Sequence, residues 1–445
     1  MKKTKFLLVV LTCLVFLSSF GFSNGLNLNG LGARMVAMGG AFVGLADDFS
    51  AVLWNPAGLA QLNASTFGLS GDIIMPTGTY QFAPYGIDAQ TESKMYPAVM
   101  AGFFTPVGDN VVAGISVHTP SGLGASWDGA DLALLSGIPP ALGGTGNPDI
   151  IWESFIALVT VSPAVAVKVS DTFSLGATLN INYGMFHIER TAGYTTILNY
   201  PYMHPVYGLI YIDLDYDLGQ YTEKSTGWGF GATIGALFKP IEEVSIGVTF
   251  RTPSVVKFEG DATIENLPVL GGPPEGTTFT REVTSPMWLG IGVAFHPAEN
   301  ITITADGHYT NWGKLDTVAT EYTDLFWQAA LADEADLELH WADKWQFRFG
   351  VEFWVSDSLA VRAGYYNDPA PSPDMTMNVL VPNYDFSSIS AGLGIVLNNF
   401  TIDLTAEYLF GKERNIAITL ENEMPGVYGM KILALNLSLI YEWVK

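Results

Sequence analysis

The 445-residue chain has 44 acidic and 20 basic side chains, so its formal net charge at pH 7 is −24. This acidic balance argues against a nucleic-acid-binding function, because contacts to phosphate require lysine and arginine. Hydrophobic residues make up 49% of the chain and charged residues only 14%, a composition that indicates a membrane protein.

Residues 1–23 have the pattern of a secretory signal peptide. Three lysines precede residue 6, an apolar stretch occupies 6–20, and a small-x-small cleavage site occupies 21–23. The alternative is a membrane anchor, but the apolar stretch is short for a span of about 20 residues. We predict cleavage after Ser23, which removes the only cysteine, Cys13, and takes the net charge from −24 to −27 with the loss of the three lysines. A secreted chain without cysteine cannot be held together by disulfides.

The next region, 24–64, lacks the alternation of a strand and is rich in Gly, Ala and Asn. It also carries large apolar side chains, which need burial. They are Leu26, Leu28, Met35, Met38, Phe42, Leu53 and Trp54. We therefore predict that this region folds into an ordered plug rather than a floppy leader.

From residue 65 onward, apolar and polar side chains alternate with period two, as in β-strands that have one apolar face. After the signal peptide, the sequence contains no run of 18 or more apolar residues, which a membrane-spanning helix would require. A closed barrel is the other structure that can span lipid, because it pairs every backbone N–H and C=O within the protein. The alternation is clearest in 301–308, 344–355, 401–410 and 433–443.

A soluble β-sandwich also alternates, but three observations favour the barrel. The polar face carries both signs of charge, aromatic residues such as Tyr441 and Trp443 gather at strand ends, and short connections alternate with long ones. The short connections lie at 108–110, 170–172, 239–243, 297–300, 356–358 and 398–399, and the long ones at 76–94, 119–151, 189–224, 261–279, 315–340, 368–382 and 411–428. We predict an all-β fold, a transmembrane antiparallel β-barrel of about fourteen strands over 65–445, with 24–64 plugging its lumen.

One long loop holds Asp213, Asp215 and Asp217, whose carboxylates could bind calcium. The alternative, which we favour, is a solvated acidic stretch of loop. The six histidines are scattered without metal-ligand spacing, so we predict no metal site.

The stretch GLNLNGLGARMVAMGGAFVGLADDFSAVLWNPAGLAQL (25–62), which contains Asn55-Pro56-Ala57, resembles the N-terminal hatch of the FadL/TodX (OmpP1) family of outer-membrane long-chain fatty acid and hydrocarbon transporters. Five later stretches resemble the same family in the same order. They are HTPSGLGASW (118–127), SPAVAVKVSDTFSLGA (162–177), SPMWLGIGVAF (285–295), VRAGYYNDPAPSPD (361–374) and IDLTAEYLFGKE (402–413). The resemblance covers most of the mature chain. It implies uptake of hydrophobic molecules by diffusion through a hatch-gated barrel in the bacterial outer membrane.

The resemblance also implies a lateral exit, through a gap in the wall at a kinked third strand. In this chain the third strand is expected at about 111–118, and it is expected to end at Thr119-Pro120-Ser121-Gly122. Pro120 lacks a ladder donor and Gly122 relaxes the backbone, so both weaken pairing. The alternative is a simple strand end that leads into a long loop.

For an anionic head group, the lumen must supply a cation. The resemblance implies Arg190, which matches a basic residue of the family. The position of a family lysine is Ala342 in this chain, and Lys344 lies two residues further on the same strand face, which is a departure from the family pattern. Asp368 corresponds to the aspartate of an NDP stretch. The candidate ligand-binding residues are therefore Arg190, Lys344 and Asp368.

An enzyme is not expected, because the chain has no HExxH, no G-x-S-x-G and, after cleavage, no thiol nucleophile. A lipase within the barrel is an alternative, since Ser and His side chains could meet across strands. A second alternative is an assembly or cargo-docking barrel without solute transport. Apolar loop residues such as Leu325, Phe326 and Trp327 suit a protein partner as well as a greasy ligand. The expected partners are a hydrophobic small molecule and outer-membrane lipid, with no cofactor, and the expected state is a monomer.

Overall fold

The structure, a computed structural model, describes residues 25–267, 274–330 and 336–443, and the predicted signal peptide at 1–23 lies outside them. The described residues form fourteen antiparallel barrel strands, each paired with the next in the chain, and the last strand pairs with the first. Pairing of the last strand with the first closes the sheet on itself. The predicted closed barrel of about fourteen strands is therefore confirmed.

Two of the strands, β7 and β8, are each interrupted once. Both interruptions contain a proline, Pro253 or Pro286, which has no N–H to donate to the ladder. The strands are β1 (Ser65–Phe82), β2 (Tyr96–Pro106), β3 (Val111–Trp127), β4 (Trp152–Ser170), β5 (Phe173–Thr191), β6 (Gln220–Ile241), β7 (Val244–Arg251 and Ser254–Ile264), β8 (Gly276–Ser285 and Trp288–Ala298), β9 (Ile301–Thr310), β10 (Lys344–Ser356), β11 (Leu359–Asp368), β12 (Phe386–Leu397), β13 (Phe400–Gly411) and β14 (Gly426–Trp443).

The alternation of the sequence becomes the two faces of this wall. Along β14, Leu435 and Leu437 point outward and are 47% and 43% exposed, whereas Asn436 between them is buried in the lumen. The same pattern repeats around the ring and leaves an apolar belt on the outside, as expected for a barrel immersed in lipid. Other outward residues include Leu69, Ile73, Val99, Phe103, Ile291, Val293, Phe347, Val351, Leu393 and Leu404.

All six predicted short turns join consecutive strands, so these predictions are confirmed. The predicted end of the third strand is wrong. β3 does not stop near His118 but runs on to Trp127, because a bulge at Pro120 bends the strand while it keeps pairing with β4. The long connection predicted at 189–224 is also not all loop. Its middle forms an outer hairpin, defined by the strands Tyr194–His204 and Gly208–Asp217, which pair only with each other.

Shorter strands and helices lie in the connections between the barrel strands. None of the helices in the described ranges is long and apolar enough to cross a membrane. The short strands are Ile87–Gln90, Thr317–Val318, Thr320–Tyr322, Leu337–Glu338 and Arg414–Ile416, and the 3-10 helices outside the N-terminal segment are Ala83–Tyr85, Ala133–Leu135, Pro140–Leu142 and Trp312–Lys314.

Residues 25–64, the N-terminal segment, lie inside the barrel. The segment contains the helices α1 (Ala33–Ala37) and α2 (Ala51–Trp54) and the 3-10 helix Pro56–Gln61. A further helix in the described part of the chain, α3 (Leu325–Ala330), lies in an outer loop. Helix α1 packs on β11 to β14, whereas the 3-10 helix packs on β4, β5 and β6. The segment thus crosses the lumen from one side of the wall to the other. Its large apolar side chains are buried there, including Met35, Met38, Phe42, Leu53 and Trp54.

Candidate functional site at a gap in the barrel wall

The wall is incompletely paired between β2 and β3. The ladder between them runs from Pro106 opposite Val112 to Met100 opposite His118 and stops there. Beyond this point β2 stays paired with β1, and β3 stays paired with β4 after a register shift between His118 and Ser121. The two strands therefore separate at Pro120, which lacks a ladder donor. The last contact is made by the Thr119 hydroxyl, which accepts from Val99 N at 3.0 Å. We call the opening beyond it, between residues 96–98 and 120–124, the β2–β3 gap.

The start of the N-terminal segment pairs with β3 at this gap. Leu28 N donates to Pro120 O at 3.1 Å, and Gly122 N donates to Leu26 O at 3.0 Å. Asn27 forms an antiparallel bridge with Ser121. These bonds occupy backbone groups of β3 that β2 leaves unpaired, which is necessary because a free strand edge cannot be hydrated inside a membrane wall.

A cavity of about 180 Å³, the gap cavity, lies directly beside the β2–β3 gap. For comparison, an apolar cavity of ~150 Å³ holds a benzene molecule. The walls of the gap cavity are mostly apolar. The apolar lining includes Leu28, Ile74, Pro76, Tyr96, Pro97, Ala98, Leu123, Phe155, Phe386, Leu409, Met430 and Ile432. The cavity can therefore accept a small hydrophobic molecule next to an opening in the wall.

A second, smaller cavity lies towards the outer loops. This outer cavity, of about 50 Å³, is almost entirely apolar and is lined by Phe186, Phe258, Trp312 and other residues of strands and loops. It shares Asn27 and Ser121 with the gap cavity. The two cavities are therefore adjacent, and together they extend from beneath the outer loops to the β2–β3 gap.

The structure separates the three predicted ligand-binding residues. Asp368, at the end of β11, is buried and lines the gap cavity, where it accepts hydrogen bonds of 2.5 Å from Asn29 and from Gln346. Arg190 lies at the outer end of β5, with its guanidinium carbon 4.9 Å from the centre of the Tyr221 ring. Lys344 is the first residue of β10, also at the outer rim. Neither basic residue lines the gap cavity or the outer cavity.

Two carboxylates that line the gap cavity, Asp72 and Glu407, are missing from the predicted set. Asp72, at an inward position of β1, lines the gap cavity together with Asn436 of β14, which lies opposite it in the ladder. The sequence signal was a single carboxylate at a lumen position of an alternating strand. The closeness of residues 72 and 436 becomes visible only when the barrel closes.

The motif Asn55-Pro56-Ala57 fixes the N-terminal segment to the wall. Asn55 is fully buried, and its Nδ2 donates to Val43 O at 2.9 Å and to Ala236 O of β6 at 3.1 Å. Its Oδ1 accepts from Ala57 N at 3.2 Å, which caps the 3-10 helix that starts at Pro56. One amide side chain therefore joins the fold of the segment to a strand of the barrel.

A chain of ion pairs joins the same segment to the opposite wall. Arg34 pairs with Asp47 of its own segment at 2.5 Å and with Glu352 of β10 at 2.8 Å. Glu352 also pairs with Arg362 of β11 at 2.6 Å, and Arg362 pairs with Asp403 of β13 at 2.5 Å. The wall charges are almost fully buried, so removing one partner would leave an uncompensated charge inside the barrel.

The acidic triplet considered for calcium lies on the outer hairpin. Asp213 accepts from Asn199 N, Asp215 from Thr196 Oγ1, and Asp217 from Asn147 Nδ2, so each carboxylate has its own protein partner. Among the residues that the structure describes, no group of His, Cys, Asp and Glu side chains is arranged to hold a metal ion.

Comparison with known proteins relates this architecture to one family. The family model described as "Outer membrane protein transport protein (OMPP1/FadL/TodX)" matches residues 14–428. The long-chain fatty acid transport protein of Salmonella typhi is 22% identical over 437 residues, 93% of each chain. Outer membrane protein P1 of Haemophilus influenzae is 22% identical over 438 residues, which cover 91% of this chain and 89% of that protein.

Solved structures agree with the sequence comparison on the fold. A FadL homologue of Pseudomonas aeruginosa superposes with a TM-score of 0.73 at 17% identity, covering 96% of this chain and all of that chain. The Pseudomonas putida toluene transporter TodX gives a TM-score of 0.70 at 14% identity, covering 95% of this chain and all of that chain. The chain therefore belongs to the OMPP1/FadL/TodX family of outer membrane transport proteins.

Proposed function

We propose that this protein takes up small hydrophobic molecules, fatty acids or hydrocarbons, by diffusion through the barrel and releases them sideways into the membrane. The observation that carries the proposal is the position of the gap cavity, which is mostly apolar and lies directly beside the β2–β3 gap. Relatives named for transport of long-chain fatty acids and of toluene support these two ligand classes.

The proposed path begins among the outer loops, where Leu325 and Phe326 are exposed and can capture an apolar ligand. The ligand then passes through the outer cavity to the gap cavity, which share lining residues. Lateral release is favoured energetically, because each CH₂ kept from water contributes about 0.8 kcal/mol. Release into the periplasm forfeits this contribution, whereas release into the bilayer keeps it.

In this proposal the N-terminal segment is a hatch that closes the straight path through the lumen. The motif Asn55-Pro56-Ala57 holds the hatch against β6, and Pro120 and Gly122 form the lateral gate at which the hatch begins. We accordingly divide the mature chain into a hatch (24–64) and a barrel (65–445), as predicted from the sequence. The bends in β3 and the bonds from Leu26 and Leu28 support this arrangement.

We assign the predicted ligand residues to two stages of the path. Arg190 and Lys344, at the outer rim, contact the head group of an anionic ligand as it enters, and Asp368 lines the cavity that the ligand reaches next. The protein acts as a monomer surrounded by outer-membrane lipid, without a cofactor and without catalysing a reaction. A docking barrel has no use for an apolar cavity beside a wall opening, and so the structure favours transport over that alternative.

Cross-linking across the β2–β3 gap tests the lateral exit. We expect that cysteines introduced at Pro97 and Ser121, joined by a short thiol-reactive linker that contains a reducible disulfide, block uptake of toluene and of a labelled fatty acid. Both positions line the gap cavity, one on each side of the opening. Reduction of the linker should restore uptake. The only native cysteine, Cys13, lies in the predicted signal peptide, so the linker has no other target.

The matched control links the same two strands where they are already paired. Ala101 and Val117 lie opposite each other in the ladder, so a cross-link between cysteines at these positions leaves the gap open. We expect this variant to transport normally in both states. Full uptake with the Pro97–Ser121 linker in place, verified by mass spectrometry, would rule out exit at this gap.

A further inference from the structure

The gap cavity contains a carboxylate without a partner. Asp72 of β1 is 3% exposed and lines the cavity. Its ladder neighbours are Ala98 in β2 and Asn436 in β14. Within the described residues, neither carboxylate oxygen of Asp72 has a hydrogen-bond partner. The Nδ2 of Asn436 is also without a partner, but it does not bond to Asp72 in this arrangement. A buried carboxylate is stable only when it is paired or hydrogen-bonded, so Asp72 needs a donor that no described residue gives it here.

The other two carboxylates of the gap cavity are already engaged. Glu407 accepts from Tyr366 Oη at 2.6 Å and from Ser388 Oγ at 2.7 Å. Asp368 accepts from Asn29 and Gln346. These bonds fix both groups against the wall and leave Asp72 as the carboxylate that faces the cavity without a partner.

No Lys, Arg or His is among the described residues that line the gap cavity. The cation behind its wall is Arg348, whose guanidinium donates to Asn29, Gly39 and Gln346 and lies 4.4 Å from the centre of the Tyr366 ring. Three carboxylates thus face a small, mostly apolar space from which basic side chains are absent. Such a field attracts a cation and repels a carboxylate.

We propose that the gap cavity selects small hydrophobic amines and binds their ammonium group at Asp72. The apolar walls take the body of the ligand, about one ring in size, and the ammonium supplies the charge and the donors that Asp72 lacks. This proposal rests on the transport path proposed above, and it adds hydrophobic amines to the fatty acids and hydrocarbons as the class that the gap cavity binds best. A neutral hydrocarbon fits the same walls but leaves Asp72 unpaired, and an anionic ligand of the same shape meets three carboxylates.

Three probes of nearly equal shape test the proposal: benzylamine, toluene and benzoate, each titrated by calorimetry into the purified protein in detergent at pH 7.5. We expect benzylamine to bind at least tenfold more tightly than benzoate, with toluene between them. Asp72→Asn removes the charge and keeps the shape. It should weaken benzylamine at least tenfold and change toluene less than threefold. Asp109→Asn, in an exposed turn, is the matched control and should change none of the three affinities.

Photolabelling of the site and toluene uptake separate the possible outcomes. An aryl azide derivative of benzylamine should label the wild-type peptide that contains Asp72, which tests the site even when Asp72→Asn does not fold. Equal affinities for benzylamine and benzoate, an unchanged benzylamine affinity in Asp72→Asn, or labelling elsewhere would each overturn the amine site. Toluene uptake that persists alongside such a result leaves the transport function intact. A protein that binds none of the three probes and takes up neither toluene nor a labelled fatty acid contradicts both proposals.

Discussion

The side chain of Asn55 connects the N-terminal segment to the wall. Its amide group satisfies Val43 O and Ala236 O and caps the 3-10 helix that follows. Asn55→Ala leaves these buried groups without a partner, at a cost of roughly 1–3 kcal/mol for each unsatisfied group. We expect uptake of labelled fatty acid or toluene to fall several-fold while the barrel stays folded, as seen by a heat-dependent shift on a gel.

The control for this variant is Asn63→Ala, an exposed asparagine near the end of the same segment. It should transport at the wild-type rate. Normal transport by Asn55→Ala as well would mean that the motif serves the fold alone and does not hold a gate.

Asp48 gives the N-terminal segment a pH dependence. Burial, the largest effect, raises the pKa of Asp48 from 3.8 to about 6, against the opposing influence of Arg34 and of hydrogen bonds from Ser50. Between these two values the docked carboxyl keeps a proton that the undocked segment has lost. The free energy of docking is therefore largest below about pH 4 and falls as the pH rises through 6.

Hydrogen exchange at several pH values measures this effect. After correction for intrinsic exchange rates, amides of residues 33–61 should be better protected at pH 5 than at pH 7.5. In Asp48→Asn, the difference in protection between the two pH values should be smaller, because this side chain no longer titrates. A wild-type protein whose protection does not change with pH would contradict the role of Asp48.

At the scale of residues, some of the side chains predicted from the sequence lie at the candidate site. Asp368 lies in the gap cavity, and Asn55 and Pro120 lie where the N-terminal segment meets the wall. Asp72 could not be recognised, because its significance depends on Asn436 and on the absence of a basic neighbour. Period two tells which side chains face the lumen, but it does not tell which of them meet across it.

Glycines on the strands set how closely the N-terminal segment approaches the wall. A Cβ built on Gly235 of β6 would lie 2.1 Å from Asn55 Oδ1, and one on Gly247 of β7 would lie 1.9 Å from Val43 O. One on Gly176 of β5 would lie 2.3 Å from Pro56 O. The close contact at the motif therefore depends on three strands that each lack a side chain at the same level.

Gly235→Ala tests this contact, since a methyl group cannot fit beside Asn55. We expect the variant to fold as a barrel but to release the N-terminal segment, so that limited proteolysis cuts residues 25–64 faster than in the wild type. Gly71→Ala is the matched control, because a Cβ at Gly71 meets nothing within 4 Å. It should be cut at the wild-type rate. Equal cutting of both variants would show that the wall can adjust to the added methyl group.

The elements were predicted well where the local signal was strong. Polar turn residues marked the strand ends correctly at all six short connections. A turn of two to four residues can only join two neighbouring antiparallel strands, so the local sequence is enough to place it. The end of β3 was predicted wrongly because Pro120 and Gly122 read as terminators in isolation. In the barrel, β4 on one side and the N-terminal segment on the other compensate for the missing donor, and the strand continues. Such compensation involves residues far apart in the sequence.

At the scale of the molecule, the outer hairpin is separate from the wall of the barrel and from the proposed ligand path. Its two strands pair only with each other, and Val206 and Tyr207 near its tip are 77% and 76% exposed. At its base, Leu218 N donates to Gly193 O at 3.0 Å, so the chain ends already meet there. We expect that deletion of residues 195–216, with a two-residue turn in their place, leaves folding and toluene uptake within about twofold of the wild type.

A comparable deletion in the loop that carries Trp312 and Trp341 is the contrasting variant. Both tryptophans line the outer cavity, so shortening this loop should reduce uptake while the heat-dependent gel shift persists. Loss of transport in the hairpin deletion would instead show that the hairpin belongs to the path of the ligand.

The pairing of β1 with β14 has a consequence for how the protein is assembled. Strand β14 lies at the far end of the described chain, and it pairs with β1 along residues 65–81, so closure must wait until β14 has emerged. Contacts so distant in sequence form slowly, because a long loop must be ordered first. Asp72 lies on this seam, with β14 on one side and β2 on the other. The wall of the gap cavity is thus completed in the last step of folding, and any ligand that binds there stabilises the closed ring over its open precursor.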